Sequence, residues 1–280
     1  MLLGPGSAAT LDRTTVIAEI AANHVGDIGL ARRMIIEAAA RGADLVSVSA
    51  YAEIGAEVET HSQAGHELLG RLALSETSQR SLAELAAEKG IGFTSSPIEV
   101  EHAEFLVEGL GLRAIKVESA EMLNLALLDY LNGKVRTVYL ETGLAELEEI
   151  KLAVSRLAST PDVVIMHCVD QYPLADADAN LSAIRTLTET FPTRSIGYSD
   201  HTIGLLAPLL AVALGATVIE THFTLDRSLP GTDHVLSVTP TELSELVHGL
   251  RHCEILLGRQ VKGPGRDRSR LALVRPQPTP

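Results

Sequence analysis

Gly197-Tyr198-Ser199-Asp200-His201-Thr202 and, about twenty residues on, Glu220-Thr221-His222-Phe223-Thr224 decide how this chain is read. Each follows a short apolar run, Ser195-Ile196 in one case and Ala216-Thr217-Val218-Ile219 in the other, and each precedes a segment of helix or loop character. Two histidines therefore fall at the C-terminal ends of two successive strands, the end at which α/β folds carry their chemistry. A third polar cluster, Gly231-Thr232-Asp233-His234, follows in the next loop. A single histidine there would ordinarily be a satisfied polar residue. Two at equivalent positions, with acids beside them, point to ligands for one divalent ion that keeps open positions for substrate or water.

Outward from this pair, short β-rich runs alternate with amphipathic stretches along the whole chain. The spacing predicts strands at Val16–Ile20, Leu45–Val48, Gly92–Ser96, Ala114–Val117, Thr137–Leu140 and Val163–His167, with the two histidine-bearing strands as the seventh and eighth. Pro97 closes the third, because proline has no N–H for a sheet ladder. Helices are predicted at Ala31–Ala40, before Lys89-Gly90, at Leu144–Leu157, at Leu205–Leu214 and at Thr241–Leu257, and a long polar loop carries His61 and His66. Eight βα units in 280 residues indicate an α/β fold of the (β/α)8 TIM-barrel type over residues 1–258. Residues 259–280 turn to Gly, Pro and Arg and read as a linker or extended arm.

An apolar content of 46% supports a sizeable core. The net charge of −13 argues against nucleic acid or an anionic membrane as partner, and points to a small-molecule substrate. Cys168 and Cys253 form no disulfide framework, and no signal peptide or membrane span is read, so a cytoplasmic protein is expected.

The strand ends collect an unusually polar set: Glu19, Asn23, His24, Ser47, Ser49, Ser95, Ser96, Lys116, Ser119, Glu141, Thr142, His167, Asp170, Ser199, His201, Glu220 and His222. Buried polar groups of this kind must find partners. Lys116 is the most informative, since it lies in an apolar strand where a bare ammonium is costly. It is either ion-paired with Glu118 or Glu141, an anchor for an anionic substrate, or an amine nucleophile of depressed pKa. Glu19 and Glu220 are candidate general acid/base groups, with salt-bridged or metal-bound carboxylates as the structural alternative.

In order and spacing, the chain resembles the sialic acid (N-acetylneuraminate) synthase family. The resemblance runs from about Val16 to Gly258 and rests on Ala18-Glu19-Ile20, Asn23-His24, Gly42-Ala43-Asp44, Ser95-Ser96-Pro97 and Lys116-Val117-Glu118-Ser119. It continues through Thr142-Gly143, His167-Cys168, Tyr172-Pro173, Ser199-Asp200-His201-Thr202, Glu220-Thr221-His222-Phe223-Thr224 and Asp233-His234. It implies a manganese-type divalent metal ion on His201 and His222. It also implies that Lys116, Ser119, Ser96 and Ser199 hold phosphoenolpyruvate, that Glu19 and Tyr172 face a sugar, and that the ion polarises an aldehyde. Asn23, Ser47 and Asp233 complete the substrate-binding candidates. The family's C-terminal antifreeze-like domain has no counterpart in this sequence. The family implies a possible homodimer.

The departures bear on the donor. Ser47-Val48-Ser49 stands where the family has Lys-Phe-Gln, Glu141 where it has serine, Val169-Asp170 where an uncharged polar residue precedes the tyrosine, and Thr221 where it has lysine. Each lost cation or added carboxylate is worth on the order of a few kcal/mol at about 4 Å and an effective dielectric near 20. The sequence therefore reads as a metal-dependent enzyme that condenses phosphoenolpyruvate, or a pyruvate-like enolate, with an aldose or sugar-like aldehyde. The first alternative is a metal-dependent aldolase or lyase on a 2-oxo acid, with Glu141 and Asp170 turned to proton transfer. A Schiff-base enzyme built on Lys116 without metal is a further alternative, as is a non-catalytic sugar-binding subunit.

Overall fold

Period-two alternation along eight short strands is what places the functional side chains in this protein. The structure, a computed structural model, describes residues 13–49 and 72–258. The polar loop with His61 and His66, and the Pro/Arg-rich segment after Gly258, lie outside the described residues.

The strands are β1 (Thr15–Glu19), β2 (Leu45–Val48), β3 (Gly92–Ser95), β4 (Ala114–Val117), β5 (Thr137–Glu141), β6 (Asp162–His167), β7 (Ser195–Asp200) and β8 (Val218–His222). All pair in parallel in the order β3-β2-β1-β8-β7-β6-β5-β4. The two end strands then meet: the Thr94 hydroxyl of β3 donates to the Ala114 carbonyl of β4 at 3.1 Å. The result is a nearly closed parallel barrel, as the sequence predicts.

The helices alternate with the strands outside the barrel. They are α1 (Ile28–Ala40), α2 (Glu76–Lys89), α3 (Val100–Glu104), α4 (Leu125–Leu131), α5 (Leu147–Arg156), α6 (Ala183–Thr190), α7 (Leu206–Ala213) and α8 (Pro240–Leu257). A π-helical turn over Phe105–Gly109 extends α3. Caps explain where the boundaries differ from the sequence reading. Asp27 accepts from the N–H groups of Gly29 and Leu30, so α1 begins three residues earlier than Ala31. The capping box of Glu146 and Glu149 starts α5 at Leu147, after Leu144 and Ala145. Thr239 and Glu242 form the same device ahead of Pro240, the first residue of α8.

Strand side chains alternate between two cores. Val16, Ala18, Val46, Val48, Ile115, Val117, Val138 and Leu140 pack outward against the helices. Ile17, Tyr139, Val164, Met166 and Val218 fill the barrel interior, with Leu45 and Ala114 beside them. Two residues further along the same strands, the interior becomes polar: Glu19 follows Ile17, Lys116 follows Ala114, Glu141 follows Tyr139 and Glu220 follows Val218. The lower half of the barrel is thus a packed plug and the upper half a site.

At the opposite end, α8 holds the start of β1. Glu254 accepts from the Thr14 N–H at 2.7 Å while Arg251 donates to the Thr14 carbonyl at 2.8 Å and to Glu254 at 2.6 Å. Asp44 joins them, accepting from the Val16 N–H and pairing with Arg13. These polar groups orient the end of the barrel that carries no chemistry.

Gly197 is the tightest point of the interior plug. A Cβ there would run into Met166 Sδ and lie 3.1 Å from the Val218 carbonyl oxygen. Gly197→Ala should destabilise the barrel by about 1–3 kcal/mol through overpacking. Combined with Met166→Ala, it should cost less than the sum of the two single changes, as urea unfolding would measure.

Candidate active site

Lys116 is the centre of the polar layer. Its side chain is 5% exposed and its Nζ lies 2.6 Å from Glu19 Oε2, 2.8 Å from Glu220 Oε1 and 3.2 Å from Glu141 Oε1. The register accounts for these neighbours. Glu19 ends β1, Glu220 lies in β8 paired with β1, Glu141 ends β5, and all of their side chains point into the barrel from strand positions of the same parity. Of the two ion-pair partners read from the sequence, Glu141 is in place. Glu118 is not in contact with Lys116, and Glu19 and Glu220 take its share.

Charge follows from this packing. Burial opposes the ammonium, but Glu141, Glu19 and Glu220 outweigh it and hold the Lys116 pKa well above the usual lysine range. The reading of Lys116 as a nucleophile of depressed pKa is thereby corrected: a permanently protonated amine does not attack a carbonyl. Burial likewise works against ionising the two coupled glutamates. The Lys116 and His201 charges nevertheless bring Glu141 down to about 2, and burial with the charges of Glu141 and Glu19 raises Glu220 well above the carboxylate range. Glu141 is the ionised member and Glu220 the protonated one. Ser199 supports this arrangement from below, its hydroxyl donating to Glu220 Oε1 at 3.0 Å.

Above the polar layer opens a cavity of about 320 Å³ lined by Glu19, Ser49, Lys116, Glu118, Ser119, Glu141, Asp170, Tyr172, His222 and Asp233, with the Ala21, Ala22 and Ala120 positions between them. Seven of the expected site residues therefore share one space with His222: Glu19, Lys116, Glu141, Asp170, Tyr172, Ser119 and Asp233. The β1–α1 loop bends back through Ala21, at φ +45°, so that its N–H donates to Glu19 Oε1 at 2.5 Å. Ala21 and Val25, also at φ +45°, are non-glycine residues in the left-handed region, a strain that this loop keeps beside the site.

The remaining expected residues lie behind the wall. Asn23 donates its amide to the Phe223 carbonyl at 3.0 Å and to Ser237 Oγ at 2.8 Å, tying the β1 loop to the loop after β8. Ser47 and Ser96 are buried and Ser199 supports Glu220, so none of the three lines the cavity. The sequence list also left out Glu118 as a site residue, although Ser49 donates to its carboxylate at 3.0 Å and both face the cavity. Its position two residues after Lys116 on the same strand face is the signal that pointed to it.

The histidine pair is brought together as the sequence suggested. The His201 and His222 rings lie 5.3 Å apart, centroid to centroid, and Tyr172 packs on both at 4.1 and 5.7 Å. His201 Nδ1 lies 2.7 Å from the Val169 carbonyl. A carbonyl only accepts, so Nδ1 carries a proton there and Nε2 is the nitrogen left to a ligand. His222 is buried and neutral, burial chiefly holding its pKa down to about 3. Its Nδ1 has no hydrogen-bond partner among the described residues, with Asp233 Oδ2 3.8 Å away. Two adjacent imidazoles, one of them with an orphaned buried nitrogen, suit a divalent ion. No group of three His, Cys, Asp or Glu side chains converges among the described residues, so among these the two histidines would hold the ion.

Two outcomes follow from this geometry. Lys116→Met should cost about 3–5 kcal/mol at pH 8, because it leaves buried carboxylates without a counter-charge. Their folded-state pKa values would then rise above the unfolded ones, so the folded state binds more protons and the loss should shrink as the pH falls toward 5, as denaturation at the two pH values would show. His201→Ala and His222→Ala should each abolish stoichiometric Mn²⁺ binding in equilibrium dialysis, since one imidazole and water give little affinity. Wild-type metal content in both variants would remove the pair from the metal assignment.

With the geometry in place, the chain can be set beside known proteins. The NeuB family model matches residues 34–262. The chain is 37% identical over 267 residues to the N,N'-diacetyllegionaminic acid synthase of Legionella pneumophila, covering 89% of this chain and 74% of that protein. It is 34% identical over 259 residues to the human N-acetylneuraminate-9-phosphate synthase, covering 88% and 72%. Among solved structures, the N-acetylneuraminic acid (sialic acid) synthetase of Leptospira borgpetersenii serovar Hardjo-bovis, in complex with citrate, superposes with a TM-score of 0.87 at 34% identity, covering 98% of this chain and 94% of that one. No helix among the described residues is long and apolar enough to cross a membrane. The family model covers well over half of the chain, and the chain belongs to the NeuB family.

Proposed function

We propose that this protein forms a carbon–carbon bond between the enol carbon of a pyruvate-derived donor and the aldehyde of a sugar-like acceptor. The observation that carries the reading is one cavity at the C-terminal end of the barrel onto which His222, Tyr172, Glu19, Glu141 and Lys116 converge. Family membership supports it, since the relatives are named as sugar-acid synthases. His201 and His222 would hold a divalent ion such as Mn²⁺, which when bound supplies Lewis acidity to a carbonyl oxygen.

The chain's own residues divide the remaining work. Tyr172 packs on both histidines and presents a phenolic O–H, beside Asp170, that can donate to an acceptor oxygen. Glu19 is fixed by Lys116 and the Ala21 N–H and presents a fixed carboxylate for sugar hydroxyls. The new bond joins the donor's nucleophilic carbon to the aldehyde carbon, and the aldehyde oxygen takes up a proton to become a hydroxyl.

The state of Lys116 favours a donor without phosphate. In a phosphoenolpyruvate site this ammonium would face the substrate anion, whereas here three glutamates enclose it. The aldolase or lyase version of the reaction, with a pyruvate-like enolate formed or released by proton transfer at Glu141, fits that observation. Glu141 is ionised, ion-paired through Oε1 with Lys116 at 3.2 Å, and faces the cavity.

Phosphate release from phosphoenolpyruvate with N-acetylmannosamine should therefore be slight in the wild type, while product should form from pyruvate and an aldose with Mn²⁺. Glu141→Gln should abolish that turnover and retain stoichiometric metal. Glu141→Ser exchanges one negative charge at the cavity wall for a neutral group and should tighten phosphoenolpyruvate binding by a few kcal/mol at most. Efficient phosphate release by the wild type would return the donor to phosphoenolpyruvate. Absence of any carbon–carbon product with either donor would overturn the reading as a whole.

A further inference from the structure

The loops after β6 and β7 shape a second opening at the same end of the barrel as the acidic cavity. It is a notch of about 190 Å³, lined chiefly by Leu181, Ile203, Leu206, Ala207 and Leu210. Ile203, Leu206 and Leu210 are 59%, 70% and 46% exposed, on the loop and first turns of α7 where an uncovered surface would carry polar side chains. Asp176 is the only charged residue of the lining among the described residues, and it shares one exposed turn with Asp178 at the edge of the notch. The Leu174 N–H donates to the His201 carbonyl at 2.8 Å, and Leu174 bridges to Thr202. The notch is therefore built on the two loops that carry Tyr172 and His201.

The chain contains a segment of the matching pattern. Residues 259–280, outside the described residues, hold six of the 23 Lys and Arg residues and one of the 36 acids. Within them, Arg270-Leu271-Ala272-Leu273-Val274-Arg275 sets four apolar residues between two arginines. An aliphatic run flanked by cations complements an aliphatic notch edged by carboxylates, since burial favours the first and pairing the second. The acidic cavity would attract the same arginines, but apart from Tyr172 and three alanines its lining is polar and offers the aliphatic run no wall. Reach permits the contact. Helix α8 has 18 residues, so it is about 27 Å long by the α-helical rise, and it packs beside α7 and ends at the far side of the barrel. The stretch from Arg259 to Arg270 can extend about 40 Å, enough to return along α8 to the notch. Such a tether holds the run at an effective concentration in the millimolar range, so a contact of a few side chains stays occupied.

We infer that Arg270–Arg275 docks in the notch of its own chain, with its leucines and valine against Leu206 and Leu210 and its arginines against Asp176 and Asp178. Hydrogen–deuterium exchange of the full chain, read by mass spectrometry, tests this without any ligand. Amides of residues 176–182 and 202–210 should exchange at least about fivefold more slowly in the wild type than in Leu271→Ser/Leu273→Ser or Arg270→Glu/Arg275→Glu. The strand amides should be unchanged in both variants, which separates loss of docking from loss of fold. Leu206→Asp should in turn speed exchange of residues 266–275. Asp176→Arg/Asp178→Arg should weaken the protection, and its combination with Arg270→Glu/Arg275→Glu should restore most of it, as only a direct charge pairing would. Equal exchange of the notch segments in the wild type and both tail variants would overturn the inference. So would no recovery in the charge swap, or protection confined to residues 119–124 and 141–146 around the acidic cavity. Protection that grows with protein concentration would also overturn it, because the occupant would then be the segment of a neighbouring copy.

Discussion

One ammonium inside the barrel governs the site. Lys116 lies on β4, an end strand of the hydrogen-bonded sheet, and reaches across the interior to carboxylates on β1, β5 and β8. Taking such a group out of water is costly unless opposite charge and hydrogen bonds replace the lost hydration. Here they do, and the consequence is structural as well as electrostatic. The same contacts hold Glu19 and Glu141 in place at the floor of the cavity and leave the protonated Glu220 behind them, supported by Ser199.

That arrangement sets what the cavity accepts. Its lower boundary is an apolar plug of Ile17, Tyr139, Val164, Met166 and Val218, which separates the polar layer from the opposite end of the barrel. Its walls carry carboxylates from several βα ends, and its enclosed cation leaves them without a free counter-charge. A trianionic donor would enter against this field, while a divalent cation would enter with it. Family chemistry and local charge thus bear on different questions: the first on the kind of bond made, the second on the molecules that make it.

The histidine pair depends on neighbours that are not themselves ligands. The Val169 carbonyl fixes the His201 tautomer, Tyr172 packs against both rings, and Asp233 stands near the orphaned Nδ1 of His222. Val169 and Tyr172 belong to the loop after β6 and Asp233 to the loop after β8. Packing by one loop and a carboxylate from another hold the imidazoles at the edge of an acidic cavity, which a lone pair of exposed histidines would not achieve.

The sequence by itself determined the fold and many of the polar residues that line the cavity. Alternating apolar runs fix which side chains share a face, because the pleat has period two, and capping residues such as Asp27 and Thr239 mark helix starts through local hydrogen bonds. Eight such strands separated by helices leave a parallel barrel as the economical closure, and its convergent strand ends bring Glu19, Lys116, Glu141, Asp170, Tyr172 and His222 into one space. What only the tertiary structure decided is who faces whom. Lys116 and its partners Glu19 and Glu220 are 97 and 104 residues apart in sequence, whereas the sequence reading offered Glu118 or Glu141, of which only Glu141 pairs with it. Asn23, Ser47, Ser96 and Ser199 have the polarity of substrate contacts yet lie behind the wall. Strand parity is a local property of the chain, whereas the stagger of strands around a closed barrel, which sets the neighbours across its interior, depends on the whole set of strands at once.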